Sequence, residues 1–99
     1  MAKRKIIWSN RAKIRLFDIL EFYLERNKSK TYSIKLYKSI NKEVKLLLKH
    51  PDLGLKTTDD SIRGLIVGNF ILYYEVTEDK IIIHTIWDSR QDPNKKILK

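Results

Sequence analysis

The stretch SIRGLIVGNFILYYEVTEDKIIIHTIW, residues 61 to 87, decides the fold. Its apolar residues are mainly β-branched or aromatic and fall into three short runs, the pattern of strands rather than helices. Gly68-Asn69 and Glu78-Asp79 separate the runs and read as two-residue hairpin turns, the first with the better turn chemistry. Three antiparallel strands are predicted. Setting Thr77 opposite Lys80 places Tyr73 opposite His84, Ile71 opposite Ile86 and Glu75 opposite Ile82. The other face carries Phe70, Leu72, Tyr74 and Val76 opposite Trp87, Thr85, Ile83 and Ile81. That face is the more uniformly apolar, so it should be the covered one. Counting back from Gly68-Asn69 puts Arg63 opposite Tyr74 on the covered side, and a slip of one residue would turn it to the open face.

Upstream of this region the period changes. Lys3 to Ser9 reads as a short first strand, and Ser9 or Asn10 can cap a helix over RAKIRLFDILEFYLER. Ala12, Leu16, Ile19, Leu20 and Tyr23 line one face of that helix. Ile14, Phe17 and Leu24 widen the face, which predicts a helix sandwiched between two elements, the alternative being a surface that awaits a partner. A second helix is predicted from Thr31 to His50, with Tyr37, Ile40, Val44, Leu47 and Leu48 inward. His50-Pro51 ends it, with His50 as a cap. PDLGLKTTDD then reads as a loop. The fold class is therefore α+β, one domain over residues 1–99 in the order β-α-α-β-β-β. An antiparallel sheet carries a helical hairpin on one face, and residues 94–99 form a polar tail.

Composition narrows the function. The 99 residues carry 21 Lys+Arg against 12 Asp+Glu, a formal net charge of +9. Such an excess favours a polyanionic or acidic partner. Lys35, Lys38, Lys42, Lys45 and Lys49 align on one side of the second helix, a row that suits phosphates better than i, i+4 ion pairing. Taken singly, each lysine reads as part of a solvated face. The chain has no cysteine, which excludes disulfides and thiolate zinc sites and fits the cytoplasm. No apolar run is long enough to span a membrane. No metal-ligand spacing, phosphate loop or other cofactor motif is present. What remains is His84 on the open sheet face, with Tyr73 and Glu75 close enough across the strands to tune an imidazole. The bland reading of His84 is a hydrogen-bonded filler of that surface. Beyond it, the last strand runs out into Asp88-Ser89-Arg90-Gln91-Asp92.

The element order, the Arg63…Phe70-Ile71-Leu72-Tyr73-Tyr74 pattern and the ending Trp87-Asp88-Ser89-Arg90-Gln91 together resemble the RelE/ParE superfamily of bacterial toxins. The resemblance runs from Lys3 to about Pro93. It implies the toxin of a type II toxin–antitoxin pair, of the kind also called plasmid stabilisation proteins, held silent by a cognate, usually acidic antitoxin. Two targets occur on this fold. RelE-like members cleave messenger RNA on the ribosome, and ParE-like members poison DNA gyrase. For a nuclease the resemblance implies Arg63 and Arg90 as phosphate-binding groups and His84 with Tyr73 as acid–base groups. However, Ile71 stands where a third-strand arginine would be expected. For either target, Arg90, Gln91 and the lysine row are the candidate contacts. The missing arginine, the chain length and the Arg90-Gln91-Asp92-Pro93 ending tilt the expectation toward the gyrase type. A basic nucleic-acid-binding module without toxicity is the reading from a different class.

Overall fold

The computed structural model describes residues 4–88. A five-stranded sheet carries two helices on one face. The elements are β1 (Lys5–Trp8), α1 (Asn10–Asn27), α2 (Thr31–Leu46), β2 (Leu55–Lys56), β3 (Ile62–Val67), β4 (Phe70–Val76) and β5 (Lys80–Asp88). The sheet order is β1-β5-β4-β3-β2.

The α+β class and the helical hairpin on one face agree with the sequence reading, and two features of the sheet correct it. The sheet is mixed, because β1 pairs with β5 in parallel. Part of the expected loop also forms a strand: Leu55 and Lys56 pair with Gly64 and Arg63. A two-residue strand has too little sequence to show a period, so tertiary pairing alone creates it.

Both hairpin turns form as expected. Gly68 has φ +61°, a left-handed conformation that glycine adopts without strain. The Thr77 N–H donates to the Lys80 carbonyl at 2.8 Å. The β3–β4 register places Arg63 opposite Tyr74, as counted. The β4–β5 register holds only near its turn, with Val76, Glu75 and Tyr74 opposite Ile81, Ile82 and Ile83. A bulge then shifts the pairing, so Tyr73 lies opposite Thr85 rather than His84, and Ile71 lies opposite Trp87 rather than Ile86. His84 is the extra residue. Such a bulge sets two residues against one and re-aims the side chains beyond it. Ile83 and Ile86, three apart, both turn to the helices, and both are fully buried.

Ser9 caps α1, accepting from the Ala12 N–H at 3.0 Å. The α-helical part of α2 ends at Leu46, four residues before His50. From there the chain tightens into i→i−3 bonds, Leu47 to Val44, Leu48 to Lys45 and Lys49 to Leu46. The His50 N–H closes the end on the Leu46 carbonyl at 2.9 Å. Tightened last turns of this kind satisfy carbonyls the helix leaves open.

The core joins Ala12 and Tyr23 of α1, Leu36, Ile40 and Val44 of α2, and Leu47 to Leu65, Val67, Phe70, Leu72, Tyr74, Ile81, Ile83 and Ile86 of the sheet. Leu36 takes the inward position expected for Tyr37, which is exposed, as is Leu48. The first helix packs on β5 and α2, but among the described residues no further element covers its widened face. Ile14 and Phe17 are 60% and 70% exposed, and Leu24 is exposed as well.

Candidate functional site

The open sheet face gathers some of the candidate residues and excludes others. Glu75 and His84 meet there, Oε1 to Nε2 at 2.9 Å. Their side chains are about a third exposed, 34% for Glu75 and 40% for His84. The ladder puts Ile7, Ile82, Glu75 and Ile62 in one row across the face. Tyr73 lies above Gly64, where an added Cβ would sit 3.4 Å from its ring. Burial raises the Tyr73 phenol above its ordinary pKa, so the group stays protonated at neutral pH and is a poor base. Because of the bulge, Tyr73 and His84 are not cross-strand partners.

Arg63 is on the other side of the sheet. It shares the Tyr74 position, and its Nη1 donates to the carbonyl of Gly54 at 2.9 Å. The Tyr74 hydroxyl accepts from the Gly54 N–H at 2.8 Å and donates to the Pro51 carbonyl at 2.9 Å. Arg63 thus ties the 51–54 loop to the sheet and does not join His84. Ile71 stays on the open face. Between the start of β5 and Trp87, the side chains of that face are apolar apart from Tyr73, Thr85 and the His84–Glu75 pair.

A second surface lies along the helices. The α1–α2 hairpin flanks an open groove of about 760 Å³ that reaches Trp8 at the end of β1. Leu16, Phe17, Leu20, Leu24, Ile34 and Tyr37 give it an apolar lining, and its charged lining residues are Lys13, Lys30 and Lys38 with a single carboxylate, Glu21. The sequence contained the signal for it in the excess apolar width of the first helix. Ile34 and Tyr37 continue that surface onto α2, where both are about half exposed.

The lysine row forms as expected: Lys35, Lys38, Lys42, Lys45 and Lys49 are all exposed. None of them is ion-paired among the described residues, where Lys80 pairs with Asp79 and His84 with Glu75. The row is therefore an uncompensated positive strip, continuous through Lys38 with the lining of the groove. Arg90 and Gln91 lie outside the described residues. Among those described, no group of His, Asp and Glu side chains is arranged to hold a metal. No described helix is long and apolar enough to cross a membrane.

No curated protein sequence matches the chain. A solved structure described as the chromosomal ParDE TA system from P. aeruginosa superposes with a TM-score of 0.73. The match covers 85% of this chain and 94% of that one at 20% identity, a likeness of fold. The family model described as the ParE toxin of the type II toxin–antitoxin system parDE matches residues 6–93. Since that match runs from the first strand past the end of the last one, the chain belongs to the ParE toxin family of type II toxin–antitoxin systems.

Proposed function

We propose that this toxin arrests growth in the cytoplasm by poisoning DNA gyrase, and that an acidic antitoxin silences it by laying an amphipathic segment in the α1–α2 groove. The observation that carries the antitoxin half is the groove itself: an apolar channel between two helices whose charged lining is three lysines, Lys13, Lys30 and Lys38, against one carboxylate, Glu21. An amphipathic helix buries one apolar face in such a channel, and acidic side chains along its edges would meet the lysines. The adjoining strip of five lysines would speed encounter with an acidic partner.

The target half is supported by the make-up of the open face. A nuclease that drives a 2′-hydroxyl onto the neighbouring phosphate needs cations around the phosphorane as well as a proton carrier. Here Arg63 is held on the far side by loop carbonyls, Ile71 occupies the clamp position, and a carboxylate faces the imidazole at 2.9 Å. A carboxylate beside the reacting phosphate would repel it. Arg90 and Gln91 remain the proposed contacts to the target, where an arginine fork can grip a carboxylate or phosphate in a way lysine cannot.

Induction in a growing culture tests the reading, with transcript ends and the DNA-damage response followed together. The expected result is a prompt DNA-damage response and filamentation, without cuts registered to codons. Codon-registered transcript ends within minutes, with no damage response, would overturn it in favour of the ribosome-dependent nuclease. Growth without arrest would point to a non-toxic nucleic-acid-binding module. His84→Gln provides an independent check. It is expected to leave growth arrest unchanged, whereas a general acid–base role would cost about 10²–10⁴-fold.

A further inference from the structure

β1 ends at Trp8, opposite Ile83, so among the described residues the outer edge of β5 has no strand partner from His84 onward. The start of α1 covers that edge instead. The Ser9 N–H donates to the Ile83 carbonyl at 3.0 Å, and its hydroxyl donates to the His84 carbonyl at 2.9 Å. One turn and a half later, Arg15 Nε donates to the Ile86 carbonyl at 2.9 Å. Its guanidinium carbon also stands 4.1 Å from the centre of the Trp87 ring. Between these anchors a cleft of about 460 Å³ is lined by Arg11, Ile14, Arg15, Thr85 and Trp87.

We propose that this cleft binds a phosphodiester of single-stranded nucleic acid, with the neighbouring base stacked against the Trp87–Arg15 surface. Three observations converge on it. First, Arg11 and Arg15 are four residues apart on one helix face, where like charges repel, and neither guanidinium makes an ion pair among the described residues. A bound anion would relieve that repulsion. Second, Thr85 is only 8% exposed, and its hydroxyl has no hydrogen-bond partner among the described residues. A buried hydroxyl left unpaired is costly, and an oxygen-rich ligand would supply the missing partner. Third, the cleft offers flat surfaces as well as donors. An indole with a guanidinium over its face, beside Ile14, is the kind of platform on which unpaired bases stack. A carboxylate would satisfy the two arginines and leave the platform unused, so the lining favours a nucleotide over an acidic side chain. The assignment does not depend on gyrase being the target.

Binding of labelled oligothymidine and oligouridine strands of roughly ten nucleotides to the full chain, followed by anisotropy across a salt series, tests it. Arg11→Gln is the central variant, because Arg15 also holds the strand edge. It is expected to weaken binding about fivefold and to lower the salt slope by about one. Thr85→Val should weaken binding by a smaller factor, and the Trp87 indole N–H resonance should shift on titration. Lys80→Gln, at the far end of β5, is the control and should bind like the parent. Tighter binding of either strand supports the site and names the nucleic acid. The assignment is overturned if neither strand binds, or if Arg11→Gln and Lys80→Gln weaken binding equally. It also fails if poly-glutamate of matched charge displaces the strand as readily as unlabelled oligonucleotide does.

Discussion

Phe17→Asp is expected to weaken antitoxin binding at least about 30-fold, the cost of losing a central aromatic anchor of 2 kcal/mol or more. Phe17 is 70% exposed in the free toxin and lines the groove between Leu16 and Leu20. The substitution therefore removes no core packing. It places a carboxylate in a channel that an apolar helix face must fill, and against a partner expected to be acidic. Stability should change by no more than about 0.5 kcal/mol, the usual range for a surface position, and Phe17→Leu should bind almost normally. Titration calorimetry reads the affinity, and co-expression reads the biology: the variant should still arrest growth, and the antitoxin should no longer relieve it. Unchanged affinity would remove the groove from the antitoxin interface. Loss of toxicity at equal abundance would instead give this surface to the target.

The prominence of that groove shows what the sequence could and could not convey. Ile14, Phe17 and Leu24 make the first helix too apolar for a single buried face, a pattern that predicts a second covering element. The structure leaves all three exposed. Periodicity reports how much apolar surface a helix has, but not whether this chain or another one covers it. Leu36 was missed for a related reason. A stripe through Tyr37 and Leu48 fits the same spacing, and only packing against the sheet selects Leu36 beside the expected Ile40, Val44 and Leu47.

The open face was legible near its turns and lost beyond the bulge. Counting from Gly68-Asn69 placed Arg63 opposite Tyr74 correctly. Counting from Glu78-Asp79 held for Val76, Glu75 and Tyr74, then failed, because each step assumes one residue on each strand. The clue was present in Ile83-His84-Thr85-Ile86, where two core isoleucines stand three apart instead of two. The bulge leaves His84 without a direct cross-strand partner, so of its two expected neighbours Glu75 meets the imidazole and Tyr73 does not stand opposite it. On this face, which side chains meet depends on one inserted residue.

Gly54→Ala is expected to destabilise the toxin by about 3 kcal/mol and to lower its melting temperature by roughly 15 °C. The sign is the informative part. Gly54 does not have a positive φ, so backbone considerations alone would make alanine stabilising by about 0.4–1 kcal/mol, through a less flexible unfolded chain. The surroundings reverse this. A Cβ would lie 2.7 Å from Tyr74 Cε1 and from its hydroxyl oxygen, and 2.9 Å from the Gly64 carbonyl. Tyr74 is fully buried and cannot swing aside, and the Gly64 carbonyl belongs to β3. The loop would have to lift, stretching the bonds from the Tyr74 hydroxyl to Gly54 and Pro51 and from Arg63 to Gly54. Overpacking of about 1–3 kcal/mol adds to the cost of buried polar groups left unpaired. Tyr74→Phe alone should cost about 2 kcal/mol by orphaning the Gly54 N–H. Combined with Gly54→Ala it should cost less than the sum, because the hydroxyl that clashes is the one removed. Thermal and denaturant unfolding of the two single variants and the double variant measure all three terms. A neutral or stabilising Gly54→Ala would mean that the loop is not clamped to the sheet. Arg63 would then be free to leave its carbonyls, and the case against a phosphate-binding role for it would fall with them.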